Sequence, residues 1–583
     1  MPGIAATRPH PAGRLASPPE RLLAFVEAGH DRAVGALLLL SLVCFGPGFA
    51  SLQPMDRDEP RFAQASKQMI ETGDYVDIRF QDEARYKKPI GIHWLQVASV
   101  RAAEALGVPE ARATIALYRI PSLAGALAAV LGTYWAALAF AGRREAFMAA
   151  ALMASSLILM VEARLAKTDA VLLACSVAAM GALARVWLAR GLPRQPAATV
   201  AIFWIAVAAG ILIKGPMVIM FTGLAAAVLS VRERSTRWLG GLRPGLGLIF
   251  VLLAVAPWFA AISWKSGFEF YRLAVGDDML GKVATGQQNH FAPPGFYLVA
   301  YFATFWPGAI LAAAALPFAW AERREDWAAF LIAWVAPAWL TFEAVPTKLP
   351  HYVMPLYPAF AILAVMAVSR GFVGPHRPFA RLGFGAMALI PIGLTAGVAA
   401  VAWRLDGALP VAALPIMAAA CAVALAAWLA FNRAAVTRAM LAALASAAIM
   451  SVGVFGLAQP VLQSLKLSPR LAALVRAAPC ADPAVATLGF REPSLVFLVG
   501  TSLDMVETPA EAAAFLRGAA GAAGAAGVGC RVAIVDARFE PGVQAALAGG
   551  GRPIETLGRV TGFNINGGRR ADLGVYLARR PLP

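Results

Sequence analysis

Acids and cations crowd into a few short stretches of this chain. The first is "DRDEPRF" at residues 56–62, where Asp58, Glu59 and Arg61 follow directly on an apolar run. Further on, "RYKKPIGIHWLQ" sets Tyr86, Lys87 and Lys88 before a proline, and "EARLAKTDA" places Glu162, Arg164, Lys167 and Asp169 between two apolar segments. Lys214 in "ILIKGPM", Lys282 and His290 in "GKVATGQQNHFAPPGFY", and Lys348, His351 and Tyr352 in "TKLPHYVMPLYP" complete the set. Carboxylates beside several ammonium groups suit a reaction whose leaving group departs as a phosphate. Cations hold the phosphate and stabilise its growing charge, while a carboxylate takes the proton of the attacking nucleophile.

Each stretch also has a plainer reading. Asp58, just ahead of a proline able to occupy the first turn of a helix, stands where an N-cap belongs, and Glu59 suits the positive helix end. Asp56 reads as a solvated charge or a partner for Arg57. Lys87 and Lys88 beside a helix N-terminus make either a phosphate site or a pair of snorkelling interfacial lysines. The 162–170 turn is either a functional site at the bilayer edge or a polar turn capped by Thr168 or Asp169. A lone histidine is more often structural than catalytic. Three basic clusters opposite an acidic one favour convergence on one outward-facing cavity.

The elements that position these residues follow from composition. A chain of 583 residues that is 59% hydrophobic and 15% charged, with mean hydropathy +0.65, excludes an ordinary soluble protein and predicts a polytopic α-helical membrane protein. At roughly 20 residues per crossing, the apolar runs number about thirteen, which puts the termini on opposite sides. Alternate loops carry arginines, such as Arg143 and Arg144, or Arg232, Arg234, Arg237 and Arg243, and these loops are expected to be cytoplasmic. The net charge of +17 therefore reports membrane orientation and not nucleic-acid binding.

The expected plan is a cytoplasmic segment over residues 1–32, a membrane domain over 33–460 with outer loops 53–114 and 264–295, and a C-terminal periplasmic domain over 461–583. The first apolar run reads as a retained signal anchor. Phe62, Ala65 and Met69 share one face of a helix lying on the membrane surface, and Ile90, Trp94, Leu95 and Ala98 mark a second such helix. In the last segment "AVATLGF", "CRVAIVDARF" and "LGVYLAR" alternate with "PAEAAAFLRG", the pattern of a small α/β domain. Cys480 and Cys530 could pair there if the domain is periplasmic, although spacing alone leaves the matter open. The chain contains no GxGxxG, Walker, HExxH or CxxC pattern, which argues against a soluble nucleotide site.

"DEPRF", "GDYVDIRFQDEARYKKPIGIHWL", "ARLAKTDA", "LIKGP" and "KLPHYVMPLYPA" occur in the order seen in the protein O-mannosyltransferase and aminoarabinose lipid A transferase superfamily. Over residues 35–365 the sequence resembles a bacterial member of that group, closest to the aminoarabinose transferases. The late "GFNINGGRRADLGVYLAR" is similar to the end of their soluble domain. This resemblance implies a GT-C glycosyltransferase of the bacterial inner membrane. Such an enzyme moves a hexosyl or pentosyl group from undecaprenyl phosphate or a similar polyprenyl carrier to a periplasmic acceptor, lipid A or another lipid-anchored glycan, with inversion.

The resemblance further implies Asp58 as the catalytic carboxylate with Glu59 beside it, and Asp169 as the acid of the second loop. Lys88, with Lys87, Arg61, Lys214 and Lys348, is implied to face the donor phosphate, and Tyr86, Arg164, His290, His351 and Tyr352 to face substrate. Similar enzymes often have Glu at the position of Lys87, where the acid can help hold a metal. Lys87 puts a divalent ion in doubt here, and no cofactor is assigned. The expected partners are the lipid-linked donor, the glycan acceptor and membrane lipids, with the chain acting as a monomer. Two alternatives are a protein O-mannosyltransferase with Ser or Thr acceptors and a lipid or solute transporter. The latter is disfavoured by charges that gather on one side and by hydropathy without two-fold repetition.

Overall fold

Backbone groups inside a bilayer have no water to bond, so apolar segments of this length satisfy themselves as helices. The computed structural model describes residues 17–54, 57–192, 195–284, 291–480, 482–518, 530–548 and 554–579. Among the described residues, nine helices are long and apolar enough to cross a membrane. Further apolar runs fold as shorter helices, among them His30–Phe45, Arg143–Ala154, Met217–Glu233 and Ala309–Ala321. Asp169–Leu188 and Pro350–Ser369 are the most enclosed spans, with 72% and 83% of their apolar windows buried, whereas Pro378–Asp406 keeps only 17% inside. The two central helices therefore carry Asp169 and His351 at their starts, while the peripheral ones present apolar side chains to lipid.

The first long loop folds as two helices, Asp58–Thr72 and Gly91–Ala105, joined through a short hairpin of β1 (Arg79–Phe80) and β2 (Glu83–Ala84). The first helix carries Asp58 and Glu59 in its opening turn, favourable at the positive end, and stops at Gly73 in the left-handed region (φ 73°). Its Phe62, Ala65 and Met69 stripe, expected to face the membrane surface, packs against protein. Ten of its 15 residues are buried, because the C-terminal domain covers the face that the bundle leaves open. Gln64 donates to Thr501 Oγ1 at 2.7 Å, Lys67 to the Phe497 carbonyl at 3.0 Å, and Gln81 to the Leu503 carbonyl at 2.6 Å. The second helix keeps the expected amphipathic form, with Trp94, Leu95 and Ala98 exposed along one edge. Gly91 opens it because a Cβ there would stand 2.8 Å from the Leu212 carbonyl. That close approach brings the segment of Lys88 against the end of the helix that carries Lys214.

The C-terminal domain holds a five-stranded sheet built from β3 (Ala484–Leu488), β4 (Asp504–Val506), β5 (Cys530–Asp536), β6 (Ile554–Asn564) and β7 (Arg569–Arg579), in the order β4-β3-β5-β7-β6. β3, β4 and β5 run parallel, and β7 pairs antiparallel with both β5 and β6. β5 is buried along its whole length, as a central strand covered on both faces must be. Cys480 and Cys530 form a disulfide that ties the start of β5 to the segment before β3.

Candidate active site

Asp58 is not the N-cap of its helix. Arg57 takes that place in an αR conformation without a side-chain cap, and Asp58 falls in the first turn. Its carboxylate is 53% exposed and meets one guanidinium, that of Arg85, at 3.5 Å. Arg85 is itself buried, with its plane over the Phe62 ring at 5.2 Å. Burial pushes the Asp58 carboxyl up, but the charges of Arg85, Lys167, Arg61 and Lys87 outweigh it and hold the group below its ordinary value. The first loop and the membrane-edge turn thus share one electrostatic field.

That turn supplies a second cluster. Lys167 pairs with Glu162 at 3.3 Å, Lys214 pairs with Asp169, and His351 lies 3.5 Å from each carboxylate through its two ring nitrogens. Asp169 is the first residue of a central span, where the helix dipole favours an anion. The Lys214 ammonium also stands 5.5 Å from the Tyr352 ring centroid. Asp169, Lys214, His351 and Tyr352, far apart in the chain, are brought together.

Lys88 donates to Asp278 at 2.7 Å, and Asp278 also accepts from Lys282 at 2.7 Å. Burial pushes the Lys88 ammonium down to about 8, with Asp278 holding it up and Lys282 and Lys214 opposing. On the expectation that Lys88 faces a donor phosphate, which needs the protonated form, the kcat/KM for that donor is expected to fall as pH rises through about 8. Asp278→Asn removes the interaction that holds the ammonium up, so its fall should begin at lower pH. Coincident profiles for the two proteins would contradict the assignment.

Four expected site residues are occupied elsewhere. Glu59 is wholly buried, receiving Arg119 Nε at 2.7 Å, Arg119 Nη2 at 3.0 Å and the Ala166 backbone N–H at 3.0 Å, so it anchors the first helix instead of reaching substrate. Arg164 is buried and donates to the carbonyls of Cys44, Pro47 and Met160 and to Ser451 Oγ, strapping helices together. Lys348 donates to the carbonyls of Phe342, Glu343 and Val345, capping the C-terminal end of the Asp326–Ala344 helix. Tyr86 donates to Asp77 at 2.6 Å and is buried against Phe270. His290 and Asp56 lie outside the described residues.

Sequence reasoning missed Arg85, Arg119 and Asp278. Arg119 carried a readable signal, since an arginine within an apolar run needs a buried partner. Asp278 precedes Lys282 by one helical turn, but nothing in that spacing points to Lys88, 190 residues away.

Glu162, Asp169 and His351 each offer one ligand atom within 4.8 Å of the others, and Oε2 of Glu162 is buried without a hydrogen-bond partner. Those atoms could reach a divalent ion. The two carboxylates are, however, already neutralised by Lys167 and Lys214, and Lys87 offers no anionic ligand. The set fits ion pairs better than a resident metal.

The apolar helices among the described residues and the covering α/β domain belong to a multi-pass membrane protein, and its likeness to solved structures gives the GT-C fold. The solved structure of ArnT from Cupriavidus metallidurans bound to undecaprenyl phosphate superposes with a TM-score of 0.71 at 18% identity, covering 94% of this chain and 97% of that one. The apo state of the same protein gives 0.68 at 17% identity. No family model matches the chain. Among curated proteins it is similar to the undecaprenyl phosphate-alpha-4-amino-4-deoxy-L-arabinose arabinosyl transferase of Pectobacterium carotovorum subsp. carotovorum, 23% identical over 314 residues, 54% of each chain. That of Aeromonas salmonicida is 26% identical over 338 residues, 56% of this chain and 60% of its own length. The chain spans a little over half the length of the curated relatives it matches.

Proposed function

We propose that the chain is an inner-membrane glycosyltransferase moving a sugar from an undecaprenyl-phosphate donor to lipid A or a related lipid-anchored glycan on the periplasmic face. The observation that carries this reading is the half-exposed Asp58 carboxylate within the field of Arg85, Lys167, Arg61 and Lys87. The name of the sequence relatives makes 4-amino-4-deoxy-L-arabinose the first donor sugar to test. On this reading the N-terminal segment is cytoplasmic and the C-terminal domain periplasmic, where a disulfide persists.

The acceptor oxygen attacks the anomeric carbon as its bond to the phosphate oxygen breaks. The electron pair leaves with the phosphate, toward Lys88 and Lys87, and one displacement inverts the centre. Asp58 holds the acceptor in line and takes its proton where it has one. A carboxylate held below its ordinary pKa is a weak base toward an alcohol. It is better matched to a phosphate monoester, whose second pKa of about 6 leaves it largely deprotonated at neutral pH. This favours a lipid A phosphate over a Ser or Thr hydroxyl.

The test is transfer by the purified protein from an undecaprenyl-phosphate sugar to lipid A, followed by the mass of the product. Because lysines already balance Glu162 and Asp169, EDTA is expected to leave the rate unchanged. Loss of activity restored by a divalent ion would show a metal requirement, with Glu162, Asp169 and His351 the first ligands to test, and overturn that expectation.

A further inference from the structure

A cavity of about 310 Å³ opens where the C-terminal domain meets the first loop, lined by Arg57, Gly489, Arg491, Glu492, Asn564, Gly567 and Arg569. Three guanidiniums from three separate segments line it with one carboxylate, and Arg491 also pairs with Glu507 at 3.1 Å. The lining carboxylate is itself engaged. Glu492 is 5% exposed, and its oxygens accept from Asn564 and Asn566 at 2.8 Å each and lie 3.6 Å from Arg57. The turn after β6 is drawn tight by the Gly567 N–H on Asn564 Oδ1 at 3.0 Å. Arg57, on one wall of the cavity, immediately precedes Asp58 in the chain.

Guanidiniums present planar forks that pair with phosphate or carboxylate through two hydrogen bonds. The cavity volume is at the small end of the range for specific small-molecule sites, about 300–1,000 Å³, and matches one charged sugar unit, not a lipid chain. We propose that this cavity binds an anionic saccharide unit of the acceptor, one bearing a phosphate or carboxylate, and so presents the acceptor to Asp58. The proposal deepens the glycosyltransferase reading and rests on it. It also gives the C-terminal domain a direct part in transfer, since two of the three arginines come from it and the acceptor site exists only while the domain is docked.

The experiment uses the full chain in detergent with R491A/R569A, leaving Arg57 untouched. The probes are lipid A as the acceptor and inorganic pyrophosphate as a competitor. The double variant is expected to raise the KM for phosphorylated lipid A about tenfold or more, with the donor KM unaltered and the melting temperature preserved. Pyrophosphate should compete with lipid A in the wild type and lose that competition in the double variant. R491K/R569K, which keeps charge without the fork, should fall between. An unchanged KM for phosphorylated lipid A in a variant that melts normally overturns the cavity while leaving the glycosyltransferase reading intact. Should the wild-type protein transfer no sugar, that reading fails by itself. The cavity then stands or falls on calorimetric binding of pyrophosphate to the wild type and its loss in the double variant.

Discussion

Asp58→Asn is expected to slow sugar transfer by about 10²- to 10⁴-fold, the usual contribution of a positioned proton acceptor. A phosphate acceptor moves the loss toward the lower end, because it needs orientation more than deprotonation. The substitution should leave folding intact. Asp58 is half exposed and makes a single long contact with the buried Arg85, so losing its charge is expected to cost about 1–3 kcal/mol, short of unfolding the protein. Rate and melting temperature measured on the same preparation separate the two effects. Ordinary transfer by the variant would remove Asp58 from the reaction.

The next residue behaves in the opposite way. Arg119→Met is expected to destabilise the protein by about 3–5 kcal/mol, since it leaves the Glu59 carboxylate buried without its partner. It also frees the carbonyls of Phe49, Leu52 and Gln53, to which the guanidinium donates at 2.9 Å each. These bonds hold the segment leading into Asp58. Glu59→Gln should lose stability as well, and the pair Glu59→Gln with Arg119→Met should recover part of it, measured by thermal unfolding in detergent. Full stability in the Arg119 variant would show that Glu59 has another partner in solution. Neighbours in sequence, Asp58 and Glu59 thus divide between the proposed chemistry and anchorage.

That division shows where the sequence is readable. Motif order leads to Asp58, Lys88, Asp169, Lys214, His351 and Tyr352, because acids and cations at the edge of a membrane span are costly and must have a use. The same rule also picks out Glu59, Arg164 and Lys348, whose side chains the structure engages in buried contacts. Each is equally costly, but each is offset by buried carbonyls or an opposite charge contributed by distant segments, and residue spacing does not record such partners. The Phe62, Ala65 and Met69 stripe correctly announces a helix with one apolar face. It cannot distinguish a lipid surface from a protein one, and here the C-terminal domain provides the cover through Phe497 and Thr501. Asp278 is hidden for the same reason, since its partner Lys88 lies in another loop.

On the proposed reading Asp58, within the field of nearby cations, serves transfer of a lipid-linked sugar. The most direct measurement is mass spectrometry of lipid A from cells carrying the chain, lacking it, or carrying Asp58→Asn. A sugar-sized mass increment present with the intact chain, and missing both in its absence and with Asp58→Asn, is the predicted result. An increment that persists with Asp58→Asn, or lipid A and surface glycans identical in all three strains, would contradict it.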